Sequence, residues 1–145
     1  MRITLENAPR FGGQPVHPDI VVSLNAAVRD APAQWAKVKT LGLVSQGWGS
    51  SVKASNGTHS TGHAVDILTS RLANDEIRAL CASLNRHDFA AAFRPAGYPL
   101  TPTSRNKTEH IHAAYRGKSN YWAVWRAIQP GGNAHIDKVL KGRKP

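Results

Sequence analysis

The six residues His63-Ala64-Val65-Asp66-Ile67-Leu68 constrain this chain more than any other stretch. They read as a short apolar strand, and a turn-forming run, Ser55 to Gly62, leads straight into it. An acid between Val65 and Ile67 must either face water or be given a partner, because an unpaired carboxylate is costly to bury. Apart from an exposed or helix-capping role for Asp66, the fold has to bring that partner from elsewhere in the chain.

The 145 residues suffice for one domain, and no repeat or low-complexity linker divides them. Residues 1–18, with Pro9, Gly12, Gly13, Pro15 and Pro18, read as an irregular leader, and residues 130–145 as a basic C-terminal segment. Asp19 is placed to cap a helix over Ile20 to Asp30, with Val21, Leu24 and Val28 on one face and Pro32 ending it. A shorter helix over Ala33 to Lys39, a strand over Leu41 to Trp48 and a helix over Glu76 to Arg86 follow. The last of these turns Ile77, Leu80, Cys81 and Leu84 inward. Strands are expected over Phe89–Phe93 and Glu109–Tyr115, joined by a long loop, with a helix over Ser119 to Ile128 that aligns Trp122 and Trp125. This order predicts an α+β domain with a small, mainly antiparallel sheet flanked by helices.

A single cysteine excludes an internal disulfide framework, and no apolar run is long enough to span a bilayer. Met1 to Asn7 lacks the features of a signal peptide, which places the chain in a cytoplasm unless another route releases it. A domain of this length needs no metal staple to fold, so a metal here is expected to serve function.

Two clusters supply a complete zinc-hydrolase inventory: His59, His63 and Asp66 in the first, Glu109, His110 and His112 in the second. Catalytic zinc takes three protein ligands and keeps one position open for water, a set that His59, Asp66 and His112 provide, one zinc per chain. Glu109, which does not bind the metal in this arrangement, has the chemistry of a general base. His110 lies two residues from His112 on the same strand face, which suits a ligand, an oxyanion stabiliser or a hydrogen-bond partner to a ligand. His17, His87 and His135 read as ordinary surface or hydrogen-bonded residues, and His63 as solvent-facing or as supporting a ligand.

The runs His59-Ser60-Thr61-Gly62-His63-Ala64-Val65-Asp66 and Glu109-His110-Ile111-His112 resemble the H-x-x-G-x-A-x-D and E-x-x-H motifs of the D-alanyl-D-alanine carboxypeptidase (M15) family of zinc peptidases. The likeness spans roughly Leu43 to Tyr115 and includes motif order and separation. It implies a hedgehog/DD-peptidase fold, zinc at His59, Asp66 and His112, Glu109 as catalytic base, and cleavage of a peptide bond in bacterial peptidoglycan. It also implies a phage cell-wall lysin, held in the host cytoplasm until a holin pore releases it, or a virion-associated enzyme. Family members often carry an arginine just after the strand equivalent to Leu43–Trp48, where it grips a substrate carboxylate. Here that segment is Gly47-Trp48-Gly49-Ser50-Ser51. Either Arg94, Arg105 or Arg116 takes over that role, or the substrate lacks a carboxylate there; Trp48 is placed to line the groove.

The formal charge of +10 fits an anionic partner, and the phosphate and carboxylate polymers of a bacterial wall meet that description. Nucleic acid fits the charge equally, but the chain has no zinc-finger cysteine pattern, glycine-rich phosphate loop or clear helix-turn-helix. The expected assembly is a monomer acting on peptidoglycan. The alternative is a non-catalytic virion or wall-binding protein of the same fold.

Overall fold

The computed structural model describes residues 3–49, 61–98, 102–103, 105–116 and 133–143. The leader carries a small antiparallel ladder, β1 (Arg10–Phe11) and β2 (Gln14–Pro15), where an irregular segment is expected. Gly12 and Gly13 make the connection with positive φ, a conformation open to glycine without steric penalty. A 3-10 turn at Pro18–Ile20 then leads into α1 (Val21–Asp30). Its cap is His17, whose Nδ1 accepts the Asp19 backbone N–H at 3.1 Å; Asp19 sits inside the turn rather than capping the helix.

Pro32 begins α2 (Pro32–Leu41) as well as ending α1, since proline at the first helical position sacrifices no hydrogen bond. The helix closes on Gly42 at φ 63°, whose N–H reaches back to the carbonyls of Val38 and Lys39. Leu41 therefore belongs to the helix, and the expected strand contracts to β3 (Val44–Gln46). The remaining elements are β4 (Ala64–Leu68), α3 (Asn74–Asn85), β5 (Phe89–Arg94), β6 (His110–Tyr115) and α4 (Asn133–Leu140). In α3, Glu76 folds back to accept the Ala73 N–H at 2.8 Å and takes Lys37 Nζ at the same distance, so one carboxylate caps α3 and ties it to α2. The helix expected at Ser119–Ile128, with Trp122 and Trp125, lies outside the described residues.

β3, β4, β6 and β5 form one antiparallel sheet in that order, and the domain is α+β as the sequence predicts. Alternation gives the sheet two different faces. Val65, Ile67, Phe89, Ala91, Phe93, Ile111 and Ala113 share one core cluster with Leu24, Trp35, Ile77, Leu80, Leu84, Ile136 and Leu140. Each large aliphatic residue buried there contributes about 1.5–3 kcal/mol. Trp35 Nε1 donates to Ser83 Oγ at 3.0 Å, which satisfies the indole inside that core. Opposite the core lies a separate cluster of small residues, Ala64, Ala90 and Ala114, all fully buried. Among the described residues no helix is long and apolar enough to cross a membrane.

Candidate functional site

The face opposite the helices is built in rows. Ala64, Ala114 and Ala90 stand side by side across β4, β6 and β5; the next row is Asp66, His112 and Ala92, and the third is Leu68, His110 and Arg94. Cross-strand register thus gives Asp66 the partner its burial demands, 46 positions away. His112 is 1% exposed and Asp66 9%, with His112 Nδ1 and Asp66 Oδ1 2.9 Å apart.

Because a carboxylate only accepts, the His112 Nδ1–H donates to Asp66 in this pair. With the ring proton moved to Nε2, the Nδ1 lone pair and a carboxylate oxygen stand side by side, a donor pair suited to a divalent metal. Two donors on one tetrahedral zinc, at bonds of about 2.0–2.1 Å, lie about 3.3 Å apart. The pair, now hydrogen-bonded at 2.9 Å, would have to part by a few tenths of an ångström to share such an ion. The third expected ligand, His59, lies outside the described residues.

His110 occupies the neighbouring row, with Nε2 3.9 Å from Asp66 Oδ2. Its Nδ1 lies 2.9 Å from the Thr108 carbonyl, which accepts only, so Nδ1 carries the proton. In the neutral ring Nε2 is then the basic nitrogen, on the side of Asp66.

Glu109 is not brought to this group. It immediately precedes β6 and falls in alternation with Ile111 and Ala113, which belong to the helix-side core. There Arg143 grips it twofold, Nη2 to Oε1 at 2.7 Å and Nε to Oε2 at 3.2 Å, and Thr69 Oγ1 donates to Oε1 at 3.0 Å. Arg143 also donates to Asn74 Oδ1 and the Thr69 carbonyl and lies over the Phe93 ring, 5.9 Å from its centroid. The hydrogen bonds from Arg143 hold the Glu109 carboxyl below its ordinary range; partial burial opposes them, and Thr69 adds to the lowering. A carboxylate stabilised in this way is a weaker base, the opposite of the adjustment that general-base chemistry at neutral pH favours.

The three candidate arginines part company. Arg94 shares the His110 row on the site face and is 8% exposed. Arg105 is exposed in the loop before β6. Arg116 follows the far end of β6, where its Nη2 lies 3.7 Å from Asp88. Trp48 packs on His17, with ring centroids 5.5 Å apart.

One further group is hard to see in the sequence because one member, His63, follows the other two by 46 and 44 positions. His17 and His63 stack with ring centroids 4.5 Å apart, and Asp19 Oδ2 lies 3.3 Å from His17 Nδ1 and 3.1 Å from His63 Nε2. Among the described residues it is the one set of three or more whose metal-ligating atoms all fall within 4.8 Å of one another. Gly62 makes the approach possible: its φ is +83°, and a Cβ there would stand 2.7 Å from Trp48 Cδ2 and 2.9 Å from His17 N. Compared with protein-family models, curated proteins and solved structures, the chain finds no match.

Proposed function

We propose that this chain is a zinc peptidase of bacterial peptidoglycan, similar to the D-alanyl-D-alanine carboxypeptidase family and acting as a phage cell-wall lysin. The observation that carries the reading is the buried Asp66–His112 pair, joined at 2.9 Å in strand register with His110 in the next row. Asp66 and His112 would hold the metal, with His59, which lies outside the described residues, as the third ligand that the sequence motif implies. Bound there, zinc supplies Lewis acidity, which polarises a peptide carbonyl and acidifies water.

The chain's own residues do the rest. His110 takes at Nε2 a proton from the water that attacks the peptide carbonyl, with Nδ1–H fixed on the Thr108 carbonyl, and returns it to the leaving amine as the peptide bond breaks. The role that the sequence motif assigns to Glu109 passes to His110, because Glu109 is engaged by Arg143 on the opposite face. Arg94, one position along the His110 row, supplies the positive charge for a substrate carboxylate. The alanine row, Ala64, Ala114 and Ala90, sets no bulky side chain beside the pair. A net charge of +10 concentrates the enzyme on anionic wall polymers.

A non-catalytic wall-binding role is the second reading, favoured by the capture of Glu109 by Arg143. Digestion of purified peptidoglycan decides between them. The zinc-loaded wild type should release fragments with new amine ends, Asp66→Asn none, and His110→Ala fewer by about a hundredfold or more with zinc retained. Absence of products from walls of several chemotypes would reject the peptidase.

A further inference from the structure

We infer that His17, Asp19 and His63 form a second divalent-metal site, separate from the Asp66–His112 pair and structural in role. The donor set is two imidazoles and one carboxylate, a combination that binds zinc and other first-row divalent ions. The carboxylate oxygen stands 3.3 and 3.1 Å from the two ring nitrogens, close to the separation of about 3.3 Å between donors that share one tetrahedral zinc. His63 is also oriented from behind: its Nδ1 lies 2.9 Å from Thr61 Oγ1. Without a metal, His63 Nε2–H donates to the Asp19 carboxylate at 3.1 Å; an ion would take the Nε2 lone pair with the ring proton moved to Nδ1, where Thr61 Oγ1 accepts it, the outer hydrogen bond of a metal-bound histidine. His17 gives up only a 3.1 Å contact from the Asp19 backbone N–H, and that amide is in the first turn of a short 3-10 segment.

The two sites occupy different parts of the sheet. His63 precedes β4, shares the alternation of Val65 and Ile67, and stacks towards Tyr115 on the side of the helix-facing core. Asp66 lies on the other face. A metal held by His17, Asp19 and His63 joins the residues that lead into α1 to those that lead into β4, and the His17 N–H already donates to the Gly62 carbonyl at 2.9 Å. The His17 and Asp19 side chains are about a quarter and two-fifths exposed, so solvent can complete the coordination.

Titration of the metal-free full chain with zinc alone, read by calorimetry and by metal content after desalting, tests the inference. Asp19→Asn and His17→Gln probe this site, Asp66→Asn the other, and each variant is first matched to the wild type by circular dichroism. Two equivalents in the wild type, falling to one in Asp19→Asn and to one in Asp66→Asn, are expected. Thr61→Val should weaken the His63 site about 10- to 100-fold without changing its stoichiometry. One equivalent lost in Asp19→Asn but kept in Asp66→Asn upholds this site and removes zinc from the proposed peptidase. One equivalent lost in Asp66→Asn but kept in Asp19→Asn overturns the inference and leaves the peptidase reading intact. No binding by the wild type overturns both.

Discussion

The Arg143 guanidinium is 8% exposed at its side chain and makes its hydrogen bonds to Glu109, Asn74 and Thr69, so removing Glu109 strands a nearly buried cation. Glu109→Gln should cost about 2 kcal/mol, less than the ~3–5 kcal/mol of a fully buried pair because the carboxylate is partly exposed. Its folded pKa lies below the ordinary 4.5, so the pair's contribution is complete above the unfolded value and disappears as pH falls through the folded one. Urea midpoints of wild type and variant should therefore differ by a constant amount near neutrality and converge on acidification below about pH 4.5. A second residue-scale prediction concerns Cys81, which is fully buried and whose thiol burial pushes away from ionisation. The native protein should resist a thiol-specific disulfide reagent, with labelling appearing only on unfolding. Cys81 as a core residue was legible from helical spacing alone. The engagement of Glu109 was not, because Arg143 follows 34 positions later in a basic tail that reads as solvated charge.

At the scale of elements, strands were legible as short apolar runs bounded by turn residues, and β4 and β6 appear within a residue of their expected limits. β3 was overestimated because Leu41 and Leu43 are apolar at either end of a helix terminus that only Gly42 marks. That terminus gives a direct test. Gly42 has φ 63°, and a Cβ there meets nothing within 4 Å, so Gly42→Ala changes backbone strain without a clash. It should destabilise the protein by about 1 kcal/mol, measured by thermal or urea unfolding, with Gly42→Asn costing less. The β1–β2 ladder was missed for another reason: strands of two residues carry no periodicity to detect. Of the candidate site, the pairing of Asp66 with His112 followed from motifs. The rows containing Arg94 and the alanines needed the register of three strands.

For the molecule as a whole, a charge of +10 predicts wall adsorption that weakens between low and high salt, as the Debye length falls from about 30 Å at 0.01 M to about 3 Å at 1 M. Binding to isolated walls, measured by pelleting, should drop steeply over that range; a flat profile would mean that charge does not drive it. The sheet also acts as a wall shared by two compartments, with consecutive residues of β6 serving opposite sides: His110 and His112 one, Ile111 and Ala113 the other. Inserting or deleting one residue inside 109–115 would exchange their allegiances, sending His112 into the apolar interior and an isoleucine into the polar row. The stretch from Tyr98 to Asn106 differs, because backbone bonds already join its ends and extra residues lengthen only a closed loop. Variation in chain length among descendants of this sequence is thus permitted ahead of β6 and forbidden within it, a ratchet that keeps the histidine pair in step while the approach to it is free to diversify.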